Sequence, residues 1–130
     1  MKKNTIYALL AIFVIAVTWF VQPSNNKNST YKVVKLNDSG STFSAEEREA
    51  ISTTLKHIDD GTVPSGAISR KWGSKFSNYE RRLPSNASYQ EYRVSPPPGA
   101  QGAGTRRIVV GSDGAVYYTN DHYESFGRIR

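Results

Sequence analysis

The fold turns on Arg106–Thr119, RRIVVGSDGAVYYT. Two runs rich in Val, Ile and Tyr flank a Gly-Ser-Asp-Gly turn signal, the pattern of short strands with a brief connection. Successive side chains of a strand point to opposite faces. Arg107 and Val109 therefore oppose Arg106, Ile108 and Val110. The apolar side of such a strand is expected to meet a helix, and the other side to stay open.

Three more short runs have the same character: SKFSN (74–78), SYQEYRV (88–94) and, at the end, FGRIR (126–130). Polar, Gly- and Pro-rich stretches such as SPPPGAQGAG (95–104) separate them. Only FSAEEREAISTTLKHIDDG (43–61) reads as a helix. Ser44 can cap it, and Glu47 three residues on completes a capping-box pattern. Glu46, Glu47 and Glu49 suit the positive end of the helix dipole. Ile51, Leu55 and Ile58 form one apolar stripe, and Gly61 is a natural stop. His57 reads as a surface residue. One helix followed by four or five short strands predicts an α+β domain, a single N-terminal helix packed on a small antiparallel β-sheet.

The chain begins differently. Lys2 and Lys3 precede the apolar run Ile6–Val21, the layout of a secretory signal. At helical rise it spans roughly 24 Å, short of a roughly 30 Å hydrocarbon core. No clean small-residue cleavage site follows, so residues 1–22 read either as a signal peptide or as a signal anchor. The protein is then secreted, or membrane-anchored through residues 6–21 with its domain outside. Residues 23–42 read as a linker and N-terminal extension, and 43–130 as the folded domain. No cysteine is present, which excludes disulfides and lipid-modified cysteine. The net charge is +6, and residues 70–130 hold ten Lys or Arg against five Asp or Glu. Such a basic half suits a polyanionic partner or simply a solvated surface.

Alternation also sorts the polar residues. Tyr89, Glu91 and Arg93 share one face, and Gln90, Tyr92 and Val94 the other. Glu91 and Arg107 thus fall together on the face away from the helix. By pattern alone that is a cross-strand ion pair or the start of a site.

The order KFSNYERRLP, QEYRV, PGAQGAGTRRIVVG, YYTNDHYESF resembles the microbial guanyl-specific ribonucleases, the barnase-like family, most of all its shorter single-helix branch. The resemblance covers roughly residues 43–130. It implies cleavage of RNA 3′ to guanosine through a 2′,3′-cyclic phosphate, with no metal or cofactor. Such chemistry needs a base for the 2′-hydroxyl, an acid for the leaving 5′-oxygen, and positive charge at the phosphorane. Glu91 matches the family's general base, His122 its general acid, and Arg107 its phosphate-binding arginine. Arg106 points the other way by alternation and is not carried over. Glu80 matches the carboxylate that accepts from guanine N1–H and the exocyclic amine. Backbone N–H groups of Ser77, Asn78 and Tyr79 would approach O6 and N7, with the Asn78 side chain shaping their loop. Phe76 and Tyr123 match aromatics that flank the base. Read without the family, Phe76 is a core residue and Glu80 a solvated charge. A monomer acting on RNA is implied, with an acidic barstar-like inhibitor protein as a further partner.

The chain departs from the family pattern at Ala103, where a second phosphate-binding arginine usually stands. Losing one preorganised donor can cost about 10²–10³ in rate. Arg93, on the face of Glu91, is the candidate auxiliary cation. A weakened or inactive RNA-binding or anchored interaction domain is the alternative.

Overall fold

A computed structural model describes residues 32–33, 42–66 and 72–130. The apolar segment 6–21 lies outside the described residues. Seven elements follow along the chain: β1 (Lys32–Val33), α1 (Ala45–Asp59), β2 (Ser74–Phe76), β3 (Tyr89–Arg93), β4 (Arg107–Gly111), β5 (Val116–Thr119) and β6 (Gly127–Arg128). They form one six-stranded sheet in the order β1-β6-β5-β4-β3-β2. From β2 to β6 every pairing is antiparallel. The short β1 pairs parallel with β6, so the sheet reaches into the segment read as a linker. The architecture is α+β, as the strand and helix patterns predict.

Helix α1 starts where Ser44 Oγ accepts from Glu47 N–H at 3.1 Å. The Glu47 side chain does not serve the cap as the box pattern suggests. Its carboxylate is buried and accepts from the Tyr118 hydroxyl (2.7 Å) and from Asn120 Nδ2 (3.2 Å). Tertiary partners win because the buried hydroxyl has lost its water and needs an acceptor. Burial, then the Glu47 hydrogen bond, raises the Tyr118 hydroxyl above its ordinary range, which keeps it a donor. The helix ends in a Schellman motif: Thr62 N–H donates to His57 O, and Gly61 N–H to Ile58 O. Gly61 takes the left-handed φ of 65° that this ending requires.

The buried face of α1 is Glu47, Ile51 and Thr54, rotated from the expected stripe. Leu55 and Ile58 lie at its half-buried rim. Ile51 packs with Val94, Ile108, Val116 and Tyr118. Arg106 reaches the same side and holds Glu46 with two hydrogen bonds of 2.9 and 3.0 Å. The other face is less open than its pattern suggests. Leu83 and Phe126, from loops outside the strands, close a second core over Tyr89, Val109, Ala115 and Tyr117. That leaves the Glu91 and Arg107 end of this face for polar groups.

Glu47→Ala is expected to destabilise the protein by about 1–3 kcal/mol, because it strands the buried Tyr118 hydroxyl. Glu47→Ala with Tyr118→Phe should lose less than the sum of the single changes. Urea denaturation of the four proteins measures the coupling.

Candidate active site

Strand β3, next to the edge strand β2, carries Glu91 at its midpoint. Its direct partners in register are Ser74 on β2 and Val109 on β4. Ser74 Oγ donates to Glu91 Oε1 at 3.2 Å, and the Tyr123 hydroxyl to Oε2 at 2.5 Å. The carboxylate is therefore fixed at both oxygens while half-buried. Its neighbour is not Arg107, as a simple cross-strand pair would have it. Arg107 stands opposite Arg93, one pleat further along.

Arg107 is buried at 6% exposure. Its Nη1 donates to the carbonyls of Gly104 (3.0 Å) and Arg106 (2.7 Å). Gly104 has φ 63°, and a Cβ there would stand 2.7 Å from Pro96 Cβ. Glycine thus lets the loop close tightly enough to present its carbonyl to the guanidinium. The Tyr123 hydroxyl lies between the two charges. Burial first, then the hydrogen bond to Glu91, raises it above the ordinary tyrosine range, and Arg107 opposes that rise.

His122 and Tyr123 both adopt left-handed backbone, with φ 59° and 76°. Thr119 Oγ1 accepts from Tyr123 N–H at 3.1 Å, and donates to Asp121 Oδ1 at 2.8 Å. Asp121 also accepts from the N–H and hydroxyl of Ser125. Burial alone would raise the Asp121 carboxyl, but the Ser125 and Thr119 hydrogen bonds hold it below the usual range. The braced turn leaves the His122 imidazole exposed and packed on the Tyr123 ring, 4.8 Å between centroids. One tyrosine thus touches Glu91 with its hydroxyl and His122 with its ring.

A cavity of about 320 Å³ opens beside Glu91. Phe76, Ser77, Asn78, Tyr79, Glu80 and Tyr123 all line it. Phe76 is half-buried, packed on Tyr123 at 5.3 Å and on Phe126 at 6.0 Å. It serves the second core and the cavity wall together, so the core and site readings of this residue both hold. Asn78 (φ 48°) donates from Nδ2 to Leu83 O and accepts from Leu83 N–H, which closes the 78–83 turn. Tyr79 is 91% exposed. Glu80 sits at the rim with Arg82 Nε on its Oε2 at 2.5 Å.

Arg93 forms no ion pair among the described residues. It lines a second cavity of about 320 Å³ with Trp72, His57 and Ala103. Sequence pattern missed Ser74, Asp121 and Arg82. Ser74 owes its place to the β2–β3 register alone, and Arg82 to a loop contact 42 residues away in sequence. No local signal marks either.

Comparison with known proteins gives consistent matches. A family model described as ribonuclease matches residues 24–130. Guanyl-specific ribonuclease Sa of Kitasatospora aureofaciens is 39% identical over 90 residues, 67% of this chain and 88% of that protein. Guanyl-specific ribonuclease St of Saccharopolyspora erythraea is 50% identical over 56 residues, 42% of this chain. That match spans 54% of the St enzyme, about half its length. The crystal structure of ribonuclease Sa2 with guanosine-2′-cyclophosphate superposes with a TM-score of 0.53 at 34% identity, covering 63% of this chain and 85% of that one.

Asp121 should supply stability that is present above the unfolded carboxylate range and fades as pH falls through its lower folded value. Between about pH 5 and 2, the wild type is expected to lose more stability on acidification than Asp121→Asn. Thermal melts across that range check the difference.

Proposed function

Because the chain belongs to the microbial guanyl-specific ribonucleases, a family of guanyl-preferring endoribonucleases, we propose that it cleaves RNA 3′ to guanosine without a metal. Glu91 takes the proton of the ribose 2′-hydroxyl, and the freed oxygen attacks the adjacent phosphorus. His122, as imidazolium, gives its proton to the departing 5′-oxygen, leaving a 2′,3′-cyclic phosphate. Water then opens the ring with the roles reversed: His122 takes a proton from water, and Glu91 returns one to the 2′-oxygen. The observation that carries the reading is the triple Glu91–Tyr123–His122. A fixed carboxylate and an exposed imidazole flank one tyrosine beside a base-sized cavity.

Arg107 stabilises the phosphorane. Its buried guanidinium is oriented by two backbone carbonyls, so little reorganisation is needed as charge develops. Guanine enters the cavity that Phe76 and Tyr123 both line, and Glu80 accepts from N1–H and the amine. N–H groups of Ser77, Asn78 and Tyr79 meet O6 and N7. Adenine lacks the donor at N1, so Glu80 would meet an unpaired acceptor. Tyr123, protonated and hydrogen-bonded to Glu91, keeps the base aimed while its ring bounds the cavity.

Ala103 bears on the rate. Arg93 stands directly opposite Arg107 in the β3–β4 register, which supports Arg93 as the cation that compensates for the missing arginine. The same substitution favours the second reading, a weakened or inactive RNA-binding domain.

Digestion of a short RNA holding one guanosine, with chelator present, should yield a fragment ending in guanosine 2′,3′-cyclic phosphate. Glu91→Ala and His122→Ala should each lower kcat by about 10²–10⁴, and kcat/KM should be bell-shaped in pH. Intact RNA retained by the wild type at low salt would support the binding-only reading. Arg93→Ala should slow the wild type but have little effect once Ala103→Arg is in place. An equal loss in both backgrounds removes Arg93 from the phosphate site.

A further inference from the structure

Arg82 lies outside every role assigned so far, yet it joins two parts of the site. Its Nε holds Glu80 Oε2 at 2.5 Å, and its Nη1 donates to the carbonyl of Glu124. It also lines the cavity that Phe76, Glu80, Glu91 and Tyr123 enclose. Glu124 follows Tyr123 directly, in the turn that Thr119 and Asp121 brace. We infer that Arg82 is a positioning residue for base selection: it holds the Glu80 carboxylate at the cavity rim and ties that rim to the loop of His122 and Tyr123. The inference rests on the guanosine reading above.

The need for such a residue follows from exposure. The Glu80 side chain is 70% exposed, and a glutamate so open to water has many rotamers, few of them aimed at the cavity. Any base that uses it must first order it. Arg82 is better anchored, with its side chain 38% exposed. Its guanidinium is one rigid plane, so the bond to Glu124 fixes where the Nε–H points. That N–H in turn fixes one carboxylate oxygen. Each carboxylate oxygen has room for two hydrogen bonds, so Oε2 can keep Arg82 while the carboxylate accepts from the base edge. Adenine, which presents an acceptor at N1, gains nothing from a better-held anion. Arg82 therefore acts on discrimination, through Glu80, rather than on the proton transfers.

The test compares kcat/KM of the full chain for GpU and ApU, in the wild type, Arg82→Ala, Arg82→Lys, Glu80→Ala and the Arg82→Ala/Glu80→Ala double variant. Arg82→Ala should lower the guanosine-to-adenosine ratio about two- to fivefold, the range open to an exposed ion pair, mostly through KM for GpU. Arg82→Lys, which keeps a cation but not the planar fork that joins Glu80 to Glu124, should not restore the ratio. In the Glu80→Ala background, removing Arg82 should leave the ratio where it stands. A merely structural role would lower both substrates together and persist without Glu80. An unchanged or higher ratio in Arg82→Ala, full recovery in Arg82→Lys, or an equal drop without Glu80 overturns the inference. A wild type with no guanosine preference removes both this inference and the reading beneath it. A guanosine preference of unchanged size in Arg82→Ala removes only this one.

Discussion

Arg106 and Arg107 are adjacent, and in extended chain adjacent side chains must leave opposite faces of the sheet. The whole arrangement depends on that constraint. Arg106 turns to the helix side and holds Glu46 with two hydrogen bonds. Arg107 turns to the other side and sits buried beneath Tyr123. The residues that follow keep the alternation, with Ile108 in the helix-side core and Val109 in the second core. A one-residue slip of β4 would send an arginine into each wrong environment and exchange the two cores. Apolar burial on both faces thus locks the register, and the register aims the guanidinium.

The rigid sheet carries a site made largely of loops. Phe76, Glu91 and Arg107 are strand-borne, and the 77–83 loop and the 119–125 turn are held by side chains bonding to backbone. Asn78 closes one by pairing both its amide atoms with Leu83. Thr119 and Asp121 close the other. Asn78, Arg81, His122 and Tyr123 all take positive φ. Such backbone is disfavoured for side-chain-bearing residues and persists where surrounding contacts over-determine it. All four fall in these two loops, where hydrogen bonds supply that determination.

Charge is distributed with similar economy. Two helix carboxylates have structural partners: Glu47 is buried against Tyr118, and Glu46 holds Arg106. On the site face, Glu91 meets hydroxyl groups instead of a guanidinium. Glu91 and Arg107 are separated by one pleat, because Arg107 pairs in register with Arg93 and Glu91 with Val109.

Local sequence by itself determined the α+β class, the position of α1, and the faces on which Glu91, Arg106 and Arg107 lie. Those features follow from periodicity, capping and turn residues, which act over a few neighbours. The sequence motifs also marked His122 and the 76–80 loop. Only tertiary structure decided that Glu47 leaves its cap for Tyr118 and Asn120, that a second core closes over half the far face, and that Glu91 bonds Ser74 and Tyr123. Arg82 and Ser74 belong to the same class. Each depends on a partner distant along the chain, brought near by strand register or loop closure, and no local pattern encodes which distant group will lose its water and need a bond.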